Sequence, residues 1–141
     1  MRLLPALVGL LALSVSACDS GGDIEPLGGV LVVTLRQSGG GNSILLESEA
    51  DVPCAPRIAA EQEFQPERLT ISVLGTEPVV GDCPATPGPA TRTVPLTFSG
   101  QGTFAVEILF GGLSDEYAYV VRSNGVRLDS VRTTVTRLGP R

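Results

Sequence analysis

The stretch "TFAVEILF", Thr103 to Phe110, decides the reading of the fold. Phe104, Val106, Ile108 and Phe110 fall on one side of an extended chain, and Ala105, Glu107 and Leu109 on the other. Successive side chains of a strand point to opposite faces, so this period of two predicts a strand with one core face, central in its sheet.

The same period recurs along the chain. Leu69, Ile71 and Val73 alternate with Thr70 and Ser72. Short runs rich in Val, Ile, Leu, Thr, Phe and Tyr, separated by Gly, Pro, Asn and Ser, predict strands near residues 30–37, 43–50, 69–75, 93–99, 103–110, 116–123 and 126–138. No repeat, heptad or long helical period follows residue 26. About seven short strands in one domain, residues 29–141, predict an all-β fold, a small β-sandwich.

"SNGV", Ser123 to Val126, predicts a hairpin turn centred on Asn124-Gly125, because that pair suits turns in which both residues take positive φ. Pairing outward from it sets Arg122 against Arg127 and Val121 against Leu128. The apolar phase slips after Leu128, which predicts a β-bulge around Asp129-Ser130 that returns Val131 to the inner face. Residues 52–68 read either as a short helix starting at Pro56 or as an extended loop ending before Pro66. "GDCPATPGPATRTVP", from Gly81 to Pro95, reads as a proline-rich loop up to the strand at 93–99.

The late strand "DEYAYVV" (Asp115 to Val121), its tight hairpin and the strand count resemble immunoglobulin-like and fibronectin type III-like modules. The chain departs from antibody-type domains in having no Trp, and Cys54 and Cys83 are not at that family's strand positions. A transthyretin-like sandwich is the open alternative.

Residues 1–17 have a positive start, an apolar core and small residues before a cut site, the pattern of a secretory signal peptide. A retained span needs about 20 apolar residues, and the run from Leu3 to Ala17 is shorter and contains Pro5. Ordinary cleavage after Ala17 is also compatible with Val15-Ser16-Ala17. "VSAC", Val15 to Cys18, followed by "DSGGD", resembles the lipobox of bacterial lipoproteins. That resemblance implies a diacylglyceryl thioether on Cys18, residues 18–28 as a flexible tether, and a location in the cell envelope with the lipid bilayer as a partner.

Cysteine count fits the same reading. With Cys18 lipidated, Cys54 and Cys83 remain as a pair 29 positions apart, a cross-link worth about 3–4 kcal/mol in the chain-entropy model. Two unrelated buried thiols are the alternative.

The chain has ten Arg, no Lys and fifteen acids; without Arg2 of the leader, nine Arg against fifteen acids leave a formal −6. Such a chain is a poor partner for nucleic acid or anionic surfaces. Acids dominate from Asp19 to Asp82, and arginines outnumber acids from Cys83 onward.

With no His and no Lys, Ser-His-Asp and Cys-His systems, P-loops, Ser-Lys pairs and most zinc sites are excluded. "DSG" at Asp19 to Gly21 matches the aspartic-protease tripeptide but lies on the tether, where no second buried carboxylate can face it. Glu47, Glu49 and Asp51 alternate on one strand, which reads either as a solvated face or as oxygen ligands for Ca²⁺. Arg122, Arg127 and Arg132 share the outward face of the last hairpin, as a patch for an acidic partner or as a charged edge that resists aggregation. Arg137 and Arg141 extend that basic character.

The expectation is a non-enzymatic envelope lipoprotein that binds a partner protein or supports an assembly, with no cofactor and no catalytic or metal-binding residues. A module for a small ligand or carbohydrate is the alternative, and a carboxylate-based envelope hydrolase ranks last.

Overall fold

Two facing sheets make up the computed structural model, which describes residues 22–83 and 86–140. The strands are β1 (Leu31–Ser38), β2 (Gly41–Val52), β3 (Ile58–Gln65), β4 (Arg68–Thr76), β5 (Gly88–Leu96), β6 (Gly102–Phe110), β7 (Leu113–Arg122), β8 (Gly125–Arg132) and β9 (Thr136–Leu138). One sheet runs β5-β2-β1-β9 and the other β3-β4-β6-β7-β8. Pairing is antiparallel except for β1 with β9 and β4 with β6. The protein is a small all-β sandwich.

Alternation builds the core. Leu31, Val33, Ile44 and Leu46 of one sheet face Leu69, Ile71, Val106 and Ile108 of the other, all fully buried. Each such side chain contributes about 1.5–3 kcal/mol by leaving water. β6 is the middle strand of its sheet, with Phe104, Val106, Ile108 and Phe110 inward, as its sequence predicts. Phe98 stacks on Phe104 with ring centres 4.5 Å apart, and Tyr119 lies beside both.

The chain enters the fold at one end of the sandwich. Within the expected tether 18–28, Glu25 already pairs with the end of β4: its N–H donates to Thr76 O at 3.1 Å, and Thr76 N–H donates back at 2.8 Å. Gly75 makes room for this, since a Cβ there would stand 2.1 Å from the Glu25 carbonyl oxygen. Leu27 packs against the core.

Three expectations are corrected. Residues 52–68 hold neither a helix nor a loop throughout. Ile58–Gln65 is strand β3, whose inward Ala60, Gln62 and Phe64 pair with Val73, Ile71 and Leu69. Its pattern is weak because it is an edge strand, leaving Gln62 partly covered and Phe64 exposed.

The fifth strand begins earlier than 93, at Gly88, inside the proline-rich stretch. Pro89 and Pro95 are tolerated because β5 is an edge strand, where a missing N–H need not break a ladder.

The last segment, 126–138, is not one strand. The hairpin turn is Ser123-Asn124, with Arg122 opposite Gly125, Val121 opposite Val126, Val120 opposite Arg127 and Tyr119 opposite Leu128. Only Gly125 takes positive φ there. The bulge falls at Val131, between the pairs Ser130–Tyr117 and Arg132–Glu116, and Val131 is 61% exposed rather than returned to the core. Residues 133–135 then cross to the other sheet, where β9 pairs with β1.

Cys54 and Cys83 form a disulfide, with Cα atoms 4.8 Å apart. It joins the β2–β3 and β4–β5 connections, both at the end where the chain enters.

Candidate functional site

The outward face of the five-stranded sheet carries the expected arginine patch. Register brings Arg122, Arg127 and Arg132 onto this face, opposite Gly125, Val120 and Glu116, and all three are exposed. Arg127 Nε donates to Asp129 Oδ2 at 2.7 Å. Arg122 and Arg132 have no hydrogen bond or ion pair among the described residues. A small depression of 190 Å³ lies at the hairpin tip among Val120, Arg122, Asn124 and Arg127.

Beside this strip the sheet surface sinks. Ala105 and Ala118 lie opposite each other in the register, and their small side chains leave a floor. The resulting open depression, 710 Å³, is walled by the β3–β4 turn at Pro66-Glu67, by Arg68, and by Glu116 and Val131. Arg68 reaches Glu107 at 3.1 Å, and Ser114 Oγ donates to the other oxygen of Glu107 at 2.7 Å. The Ser114 hydrogen bond holds the Glu107 carboxyl below its usual range; partial burial opposes this, and Arg68 reinforces it. Glu107 is thus an occupied acceptor rather than a proton donor.

A second cleft of 250 Å³ opens between the sheets where β9 stops pairing with β1. Val33, Leu35, Val126, Leu128 and Leu138 give it an apolar lining.

The other candidate residues are dispersed. Glu47, Glu49 and Asp51 all lie on β2, but a register irregularity interrupts them and Glu49 binds Arg137 at 2.9 Å. Among the described residues no three His, Cys, Asp or Glu side chains cluster to hold a metal ion. The signal segment, Cys18 and "DSG" at Asp19–Gly21 lie outside the described residues, as does Arg141. Among the described residues no helix is long and apolar enough to cross a membrane.

One residue that organises the structure is missed by the sequence reading. Asp115 is fully buried, on the inward phase of β7 with Tyr117 and Tyr119. Its Oδ1 accepts from Thr134 N–H at 2.7 Å, and its Oδ2 from Val135 N–H at 2.9 Å, Thr136 N–H at 2.6 Å and Thr136 Oγ1 at 2.7 Å. Since Thr136 spends its proton on Asp115, Tyr117 O–H donates to Thr136 Oγ1. Desolvation is the largest influence on Asp115 and pushes its pKa up, but the hydrogen bonds together outweigh it and the net shift is down. Burial pushes the Tyr117 hydroxyl up. The signal in the sequence is an acid on the core-facing phase of a strand; its partners lie about twenty residues away and leave no local mark.

Comparison with protein-family models, with curated proteins and with solved structures finds no match. The chemistry of the chain itself therefore carries the functional reading.

Proposed function

We propose that this chain is a membrane-anchored envelope lipoprotein whose sandwich is a non-enzymatic binding or structural module. The carrying observation is the cysteine pairing: the fold joins Cys54 to Cys83, leaving Cys18, behind its signal-like leader, as the odd one. With Glu25 docked on Thr76, no more than the six residues Asp19 to Ile24 separate Cys18 from the paired chain, and six residues reach at most about 20–22 Å. The immunoglobulin-like or transthyretin-like affinity of the sandwich belongs to this proposal as well.

An acidic protein partner is the reading we favour for the arginine strip, because Arg122 and Arg132 spend no charge on neighbours. The floor of the large depression is alanine, and Phe98, Phe104 and Tyr119 pack on one another. That favours a protein surface over a stacked sugar ring.

Mass spectrometry of the mature N-terminus tests the anchor; an unmodified Cys18 defeats it. For the patch, Arg122→Glu with Arg127→Glu is expected to abolish a reproducible association seen after membrane solubilisation. Unchanged association would remove the patch from the function.

A further inference from the structure

Eight large apolar side chains are exposed among the described residues: Ile24, Phe64, Leu74, Val79, Val80, Leu109, Leu113 and Val131. Their placement is uneven. β1, β3, β5, β7 and β9 start at the end of the sandwich where β2, β4, β6 and β8 finish: the β2–β3, β4–β5 and β8–β9 crossings and the β6–β7 hairpin lie there, and the β1–β2, β3–β4 and β7–β8 hairpins and the β5–β6 crossing lie at the other end. Leu74 and Leu109 sit near the finishing ends of β4 and β6, Leu113 opens β7, and Val79 and Val80 lie on the loop after β4. Ile24 stands against Gly75, and Gly22 stands against Pro78, so the incoming chain passes between these groups. Six of the eight thus lie at the end of the sandwich where the N-terminal segment joins the fold. Val80 is 95% exposed.

Surface hydrophobics scattered singly need no explanation, but apolar side chains gathered at one end of a domain point to a contact surface. The N-terminal segment at that end fixes its occupant. Resting on the proposed lipidation of Cys18, the span of at most six residues between Cys18 and Glu25 keeps this end within about 20–22 Å of the acyl chains. We propose that this end of the sandwich is a membrane-contacting face, its rim of Ile24, Leu74, Val79, Val80, Leu109 and Leu113 seated in the headgroup region of the bilayer.

The charges there define the lipid. Asp23, Glu25, Glu77 and Asp82 lie on or beside the same loops, with Arg57 engaged by Glu77. A surface of this sign is not drawn to anionic headgroups, so the contact is made by apolar burial into a zwitterionic bilayer and resists added salt. Anchoring by acyl chains holds the rim at the bilayer at high local concentration, so each weak apolar insertion becomes effective without a strong affinity of its own.

The chain has no Trp, so single tryptophans report position. Val80→Trp marks the proposed face and Phe64→Trp the opposite end. Each full-length protein is purified from membranes, its N-terminal mass is measured, and it is reconstituted into phosphatidylcholine vesicles with brominated acyl chains. Expected is a blue-shifted Val80→Trp emission quenched at least about twofold, unchanged in 0.5 M salt (roughly a 4 Å Debye length), with Phe64→Trp unquenched. Equal, water-like emission from both variants in vesicle-bound protein overturns the membrane face while leaving the anchor intact. Absence of lipid mass defeats the anchor separately. The same vesicles, added to that unlipidated protein at millimolar lipid to match the local concentration a short tether gives, then decide the face: quenching of Val80→Trp supports it, and none overturns it.

Discussion

Asp115 gathers the N–H groups of three successive residues, Thr134, Val135 and Thr136, at the crossing between the two sheets. Without it the buried Thr136 N–H would be left unpaired in the interior and the half-buried Val135 N–H beside it would lose its acceptor, and a buried unpaired polar group costs about 1–3 kcal/mol. Asp115→Asn keeps the shape but turns an amide N–H₂ toward backbone donors. The expected loss is about 2–4 kcal/mol in urea unfolding. Tyr117→Phe deletes only the outer member of the chain of hydroxyls, and about 1 kcal/mol is expected. Equal losses for the two variants would contradict the central place of the carboxylate. The pH dependence has a defined sign. In the unfolded chain Asp115 takes up its proton near the ordinary value of 3.8, while the folded carboxylate holds out to lower pH. Its stabilisation is therefore full above that value and is lost as pH falls below about 4 and through the folded pKa. Urea midpoints measured from pH 6 to pH 3 should fall more steeply for the natural protein than for Asp115→Asn.

Among the elements, the docked segment at Glu25 rests on the backbone of Gly75. This glycine has φ of +149°, and a methyl group there would collide with the Glu25 carbonyl. Gly75→Ala is expected to cost about 1–3 kcal/mol and to remove hydrogen-exchange protection at the amides of Glu25 and Thr76. Retained protection would show that the pairing does not need the glycine. Legibility in the sequence followed burial element by element. Thr103–Phe110 could be read because one face is strictly apolar, and the strands near 30–37 and 43–50 because Leu31 and Val33, and Ile44 and Leu46, set their phase. β3 could not, because an edge strand needs no continuous apolar phase, and Ala60 and Gln62 carry almost none. β8 and β9 were fused because the bulge at Val131 and the crossing at 133–135 are held by Asp115, a partner distant in sequence. The arginine strip was legible as a shared face, although the register that creates it differs by two residues from the one predicted. A two-residue slip preserves which side each residue faces, and that is why the face survived.

At the scale of the whole molecule, the two loops joined by the disulfide sit at the end from which the chain emerges, and the loop conformation opposes part of the gain. Cys54 and Ala55 take φ of 68° and 42°, left-handed values that non-glycine residues adopt at a cost of about 1–2 kcal/mol each. Ala55 N–H recovers a bond to Val52 O at 3.1 Å. Closing a loop of 29 residues removes unfolded-chain entropy worth about 3–4 kcal/mol. Replacing both cysteines, Cys54→Ser with Cys83→Ser, forfeits that entropy and relieves about 1 kcal/mol of backbone strain at one of the two left-handed residues, Cys54, while Ala55 keeps its bond to Val52, so the expected net loss is about 2–3 kcal/mol. Neither cysteine is among the residues of the core, so far-UV circular dichroism of the double variant should match the natural protein at low denaturant while the urea midpoint drops. An unchanged midpoint would mean that the bent loop costs as much as the cross-link contributes. Loss of the β signal would mean that the staple, rather than the facing rows of Leu31, Val33, Leu69 and Ile71, determines the fold.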